Sequence, residues 1–325
     1  MSEVVIFAPS PVLTVTIEDH PDGPDVHLHA GGQGVWQARM LLRMGLNVAM
    51  VSVLTGESGR MLRHLLVDEG MRVVAVDRQG RGGAYIHDRR DGERDRIVET
   101  GGEAISRHDL DELYGAMLGE GVSADLVILS GPASEEVLPA DVYRRLAADL
   151  RTGGQRVIVD LAGERLSAAL AGGVLVAKVS DEELLADGRI PENTTANVIA
   201  AMHVMKEEGA DSVIVTRADR PLLLLAEGVI SEVTTPTMEV ADTSGAGDSL
   251  TAGVSASLAR GESIERAITL GAAAGALNVT RHGLGTGDPE TIAKLRELVT
   301  VRQIELPEPS AVVSPDDLAA KVQET

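Results

Sequence analysis

Five short runs of aliphatic and β-branched residues recur along the chain, each separated from the next by a longer stretch with helical spacing, and this alternation restricts the fold more than any other feature. Asn47 to Leu54 (NVAMVSVL), Ala124 to Gly131 (ADLVILSG), Gln155 to Gly163 (QRVIVDLAG), Gly172 to Ser180 (GGVLVAKVS) and Ala210 to Ala218 (ADSVIVTRA) are near-continuously apolar, as strands buried on both faces must be. The helical segments include GVWQARMLLRMG, ESGRMLRHLLVDEG, ADVYRRLAADLRTGG and TTANVIAAMHVMKEEG, and the last three end on a glycine where a C-cap belongs. Strand, helix and strand repeated this way call for right-handed crossovers. The sequence therefore predicts an α/β fold with a mostly parallel sheet between two helical layers.

Two pieces break the pattern. Val12 to Ala30 (VLTVTIEDHPDGPDVHLHA) and Gly83 to Thr100 (GAYIHDRRDGERDRIVET) alternate like half-buried hairpin strands, with polar turns at Pro21 to Pro24 and Asp91 to Glu93. They predict a small β lid, residues 12–30 and 83–100, interrupting a core made of 1–11, 31–82 and 101–302. The alternation of Leu13, Val15 and Ile17 leaves the lid an apolar face, and a two-fold lid-to-lid contact would cover it, predicting a homodimer. From Glu305 the chain is proline-rich and then weakly helical, so 303–325 reads as an appended tail.

Composition narrows the function classes. With no cysteine there is no disulfide framework, thiolate metal site or cysteine nucleophile, which fits a reducing cytosol. No apolar run approaches the ~18 residues that a membrane span needs, and the first residues lack a basic segment followed by an apolar one, so a cytoplasmic protein without a membrane partner is expected. The formal charge of −21 and only five aromatic residues argue against nucleic acid as a partner. A small anion would bind only where local dipoles or a metal reverse that field.

Such a place is offered by Asp242 to Gly253, DTSGAGDSLTAG. Leu250, Val254 and Leu258 follow at helical spacing, which puts Gly245, Ala246 and Gly247 near a helix N-terminus. Unpaired N–H groups and the positive end of the helix dipole point outward there. A carboxylate beside a bound phosphoryl group is costly unless it acts, and Asp248 is suited to take the proton of an attacking hydroxyl. The plainer alternative is a tight turn followed by an acidic residue of the kind favoured in a first helical turn.

Together Asp242, Thr243, Gly245, Gly247 and Asp248 match the D-T-x-G-A-G-D signature, and the chain resembles the ribokinase-like sugar kinases, the phosphofructokinase B family. The likeness runs from Val4 to about Leu298 and takes in an early Gly-Gly motif, two lid hairpins, the segment AKVSDEE and the signature, in the family's order. In layout it is similar to the kinases of sugar phosphates such as fructose 1-phosphate and tagatose 6-phosphate. The resemblance implies a ribokinase-like three-layer sandwich, ATP as phosphate donor and Mg²⁺ as cofactor. It implies Asp248 as catalytic base and Gly245, Ala246 and Gly247 as anion hole. Asp242 and Thr243 fall where many members place a monovalent cation such as K⁺. Glu183 falls on the acid that organises Mg²⁺ through water, in a motif that starts here with Ser180 just after Lys178; its other reading is a solvated helix-start acid. Thr216, Ala218 and Asn278 fall on the nucleotide groove.

The acceptor side departs from the family pattern. The opening N-P-A-x-D stands as Ser10-Pro11-Val12-Leu13-Thr14, without its carboxylate. The motif G-G-K-G-x-N stands as Gly31-Gly32-Gln33-Gly34-Val35-Trp36, without its lysine and asparagine. An arginine of the second hairpin aligns with Gly83, with Arg81 two residues earlier. Loss of cationic clamps argues against a sugar phosphate as acceptor. Trp36 is read either as a stacking surface for a ring or as core. On the nucleotide side, Ala218 and Pro221 stand where glycines are usual; Ala218 permits close approach if its φ stays negative, and Pro221 removes a donor. The expectation is an ATP-dependent kinase of a sugar or sugar-like hydroxyl. Its alternatives are a catalytically weak relative acting as a sensor, or a nucleoside kinase. His27 and His29, beside Asp25, read as a solvated strand rather than a metal site.

Overall fold

A computed structural model describes residues 3–92, 94–280 and 283–304; the expected tail from Glu305 and the turn residue Glu93 lie outside the described residues. The chain opens with β1 (Glu3–Phe7), then the hairpin β2 (Val12–His20) and β3 (Gly23–Gly31), then α1 (Gln33–Arg43), β4 (Asn47–Thr55), α2 (Gly56–Asp68) and β5 (Arg72–Arg78). A second hairpin, β6 (Ala84–Asp88) and β7 (Asp95–Thr100), precedes α3 (Arg107–Gly121), β8 (Leu126–Ser130), α4 (Asp141–Thr152), β9 (Val157–Asp160) and α5 (Gly163–Gly172). There follow β10 (Val174–Ser180), α6 (Asp181–Ala186), α7 (Thr195–Glu208), β11 (Ala210–Thr216), β12 (Leu222–Ala226) and β13 (Val229–Thr234). The described chain closes with α8 (Ala246–Ala259), α9 (Ile264–Asn278), α10 (Pro289–Arg296) and β14 (Thr300–Gln303).

Ten strands form one sheet in the order β14-β13-β12-β11-β10-β9-β8-β1-β4-β5. Every pairing from β11 to β5 is parallel, and β12, β13 and β14 add an antiparallel edge. Side chains of opposite parity feed two cores. Val5, Phe7, Val127, Val159 and Val179 pack under α3, α4, α5 and α7, while Ile6, Ile128, Ile158 and Val176 pack under α1, α2, α8 and α9. This is the α/β layering that the continuous apolar runs demand, since each strand has to satisfy both faces.

The order of the strands reverses beside β1. The chain winds outward through β4 and β5 on one side and through β8, β9, β10 and β11 on the other. In open α/β sheets, ligands bind beyond the carboxyl ends of strands at such a switch point. Polar residues end these strands: Ser130 on β8, Asp160 on β9, Ser180 on β10 and Thr216 on β11.

Above those ends lies a second sheet, in the order β3-β2-β6-β7, built from the two hairpins. Its inner face presents Thr14, Thr16, His27, His29, Tyr85 and His87, which are register partners across β2, β3 and β6. The outer face presents Val15, Ile17, Val26, Leu28, Ile86 and Val98, of which Val26 is 58% and Leu28 47% exposed, while Leu13 at its base packs against the core. No helix among the described residues is long and apolar enough to cross a membrane.

Candidate active site

Gly245 is the N-cap of α8, and it adopts φ +72°, a left-handed conformation that glycine reaches without steric cost. A Cβ on the next glycine, Gly247, would stand 2.6 Å from Lys178 Nζ. The absence of a side chain at Gly247 is thus what lets the first turn of α8 lie directly against a buried ammonium. The N–H groups of Gly247 and Asp248 have no acceptor among the described residues, as expected for a helix's first turn. Unclaimed donors and the positive end of α8 meet Lys178 at one point of an otherwise acidic chain, where the ammonium is itself paired with Asp160.

Asp248, in the same turn, is 8% exposed. Its Oδ1 accepts from Gln37 Nε2 at 3.2 Å, and Oδ2 has no hydrogen-bond partner among the described residues. Burial, and after it the nearby charge of Asp160, pushes the Asp248 carboxyl well above the ordinary range, while Lys178 and the Gln37 amide pull it back. Asp160 itself is held by Lys178 Nζ at 2.9 Å, Thr251 Oγ1 at 2.8 Å and Gln37 Nε2 at 3.2 Å. Burial alone would lower the Lys178 pKa, but Asp160, Glu183 and Asp248 outweigh it, and the ammonium is held above its usual value. Gln37, Ser130, Asp160 and Thr251 carry no signal in local spacing. They come from four elements that only the crossovers bring together.

Asn278 does not line an open groove. It is buried, donating to the Ser244 carbonyl at 2.7 Å and accepting from Ser249 Oγ at 3.0 Å, and so buttresses the loop that presents Gly245. Glu183 closes a capping box on α6, with Oε2 accepting from Ser180 N at 2.7 Å and Ser180 Oγ at 2.8 Å. Its other oxygen has no hydrogen bond among the described residues, and its charge is felt at both Lys178 and Asp248. Thr216 pairs in register with Ser180 across β10 and β11. Ala218 departs from expectation: its φ is +43°, so the backbone keeps the left-handed turn that a glycine would take freely, at a steric cost to alanine. In the same turn, Arg220 is hydrogen bonded to Asp181 and to Asn193 and ties the turn to the start of α6.

Asp242 has both oxygens engaged. Oδ1 accepts from Ser244 N at 2.9 Å and Oδ2 from Arg94 at 3.0 Å, so a cation at Asp242 and Thr243 would share this carboxylate with the lid arginine. Arg94 reaches Ser244 Oγ as well, at 3.5 Å, which brings the second hairpin down onto the loop before α8.

Between the lid and the sheet is a cavity of about 1220 Å³ whose walls include Thr14, Gly32, Trp36, Tyr85 and His87. Trp36 is therefore a cavity residue rather than a core one. A Cβ on Gly31 would strike Thr14 Oγ1 at 2.3 Å, so Gly31 makes room for Thr14 without facing the cavity itself. Gln33 faces an adjoining recess, where its Oε1 accepts from Gly131 N at 2.7 Å. Arg81 lies away from the cavity, 87% exposed and paired with Glu103. Arg43, Arg89 and Arg94 stand in the wall together with Glu18, Glu69 and Glu99, and Arg94 is held by Asp242. His27 and His29 stack at 6.0 Å and also face this space instead of solvent alone. Burial, and then Arg39 for His29 and Arg94 for His87, lowers both imidazole pKa values, which favours the neutral rings. Asp248 is not itself in the wall, but Leu284 is, and it stands 3.0 Å from where a Gly245 Cβ would be.

The pattern of the pfkB family carbohydrate kinases matches residues 6–291. The chain is 28% identical over 274 residues to ATP-dependent 6-phosphofructokinase isozyme 2 of Mycobacterium tuberculosis, covering 82% of this chain and 79% of that protein. It is 26% identical over 264 residues to 1-phosphofructokinase of Bacillus subtilis, covering 79% and 84%. Phosphofructokinase-2 from Escherichia coli, solved in complex with potassium, superposes with a TM-score of 0.79 at 25% identity over 91% of this chain and 99% of that one. The chain therefore belongs to the pfkB family of carbohydrate kinases, ATP-dependent sugar phosphotransferases.

Proposed function

We propose that this kinase transfers the γ-phosphoryl group of ATP to a hydroxyl of a sugar bound under the lid, with Asp248 as general base and the first turn of α8 as anion hole. The observation that carries the reading is the pairing of an acid whose Oδ2 is unengaged with unclaimed N–H groups in the same turn, backed by Lys178. The acceptor hydroxyl gives its proton to Asp248 Oδ2 as its oxygen bonds to the γ-phosphorus, the bond to the β-phosphate oxygen breaks, and ADP leaves. The N–H groups and Lys178 stabilise charge on the transferring group. Mg²⁺, when bound with the nucleotide, neutralises phosphate charge; the unengaged oxygen of Glu183 fits a water-mediated hold on it. The engaged state of Asp242 gives no support to K⁺ beside it.

Arg43, Arg89 and Arg94, which share the wall with Glu18, Glu69 and Glu99, would hold an anionic group on the acceptor, and the imidazoles suit its hydroxyls. The test is ATP consumption, with Mg²⁺, over a panel of free sugars, sugar monophosphates and nucleosides. Turnover is expected to be fastest with a sugar monophosphate. Fastest turnover with a nucleoside would assign Trp36 and Tyr85 to base stacking instead, and thermal shifts without turnover would make the chain a sensor.

We propose a homodimer through the outer lid face, which its exposed valines and Leu28 support, and a cytoplasmic location. Leu28→Asp is expected to convert the dimer to monomer in sedimentation experiments while leaving the fold intact; a dimer that survives it does not use this face.

A further inference from the structure

Gln37 is completely buried on α1, among apolar neighbours such as Ala38 and Leu41. An amide in such a place is costly unless every polar atom is used, and here every one is. Its Oε1 accepts from Ser130 Oγ at 2.5 Å, and its Nε2 donates to Asp160 Oδ2 and to Asp248 Oδ1, each at 3.2 Å. The orientation is fixed by charge: turning the amide over would set a carbonyl oxygen against two carboxylates. One turn earlier on the same helix, Gln33 grips Gly131 N, so α1 is pinned to the end of β8 at two successive positions.

We propose that Gln37 positions the base: its amide, anchored on Ser130, holds the Asp248 carboxyl by Oδ1 beside Asp160 and leaves Oδ2 for the acceptor hydroxyl. The inference rests on the kinase reading in taking Asp248 as base. Four groups face that carboxyl from the elements packed on it: Asp160 from β9, Lys178 from β10, Glu183 from α6 and Gln37 from α1. Asp160 and Glu183 favour the protonated form. Lys178 opposes them but is itself bonded to Asp160 Oδ1, whereas Gln37 is the group that donates directly to Asp248. A donor placed between two carboxylates lets both carry charge a short distance apart, which the transfer step requires of one of them.

The experiment is Gln37→Met, of similar length without donors, in the full chain. Asp248 is followed by ¹³C NMR of aspartate carboxyls, its resonance assigned by its loss in Asp248→Asn. The midpoint of Asp248 protonation is expected to rise by about one to two pH units, the usual effect of a hydrogen bond to a charged group. The acid limb of kcat/KM should move by the same amount, with KM for ATP unchanged. Should Gln37→Met not fold, Ser130→Ala loosens the anchor while keeping the amide, and a smaller rise is expected. An unmoved midpoint in the folded variant overturns the role of Gln37 alone. A midpoint that moves without the acid limb moving removes Asp248 as base, and the kinase mechanism with it, because the NMR measurement needs neither acceptor nor turnover.

Discussion

Replacing Asp248 with asparagine is expected to lower kcat by about 10²–10⁴-fold, the usual worth of a positioned general base, with KM for ATP little changed. The same substitution should make the protein more stable. The folded-state pKa of Asp248 is raised, so the folded chain holds this proton more tightly than the unfolded chain does. Stability is therefore lost as pH rises from the ordinary carboxylate range through the raised folded value. Asparagine keeps an acceptor for Gln37 and never ionises. Urea denaturation at pH 5 and pH 8 should show the variant gaining on the wild type at the higher pH, by at least about 1.4 kcal/mol, the worth of one pH unit. Loss of activity coupled to a gain in stability is what distinguishes a site residue held at a cost from one that supports the fold. Near-normal turnover in the variant would remove Asp248 from the chemistry.

The parallel strands are legible in the sequence because they are buried on both faces and so read as unbroken apolar runs. The hairpins are legible for the opposite reason, since Thr14, Thr16 and His29 face a cavity while Val15, Ile17 and Leu28 lie on the other face. The antiparallel edge is harder to see. Leu222 to Ala226 is a short apolar run without alternation, and β14 is a polar, fully exposed strand of four residues. The anion-hole turn is contiguous and announces itself by its glycines. What lies under it does not. Asp160 is 88 residues from Asp248 in sequence, and Gln37 is 211. The one signal available is that Ser130, Asp160 and Ser180 each close a buried parallel strand, where ligands to α/β sheets gather. A polar residue ending an otherwise apolar run is weak evidence singly, and it becomes informative only once strand order is known.

Lys178→Met should be the most destabilising change near the site, costing about 3–5 kcal/mol, because it leaves Asp160 buried with its charge unpaired. The ion pair spans 2.9 Å between side chains that are 9% and 3% exposed, so solvent screening does little to soften the loss. Since Asp160 accepts from Thr251 and Gln37 on its other oxygen, methionine also disturbs the network that reaches Asp248. The raised Lys178 pKa fixes the pH window: its contribution is complete below the ordinary lysine value and fades only as pH rises through the folded one. The deficit measured by urea denaturation should accordingly be flat from pH 6 to pH 9 where lysine is concerned, with Asp248 titrating higher than in the wild type. A second substitution separates the two roles of the ammonium. Asp160→Asn on the Lys178→Met background removes the orphaned charge and should recover a large part of the stability. Turnover should stay low, because the positive charge behind Gly247 is still missing from the anion hole. Recovery of both together would mean that Lys178 serves the fold alone.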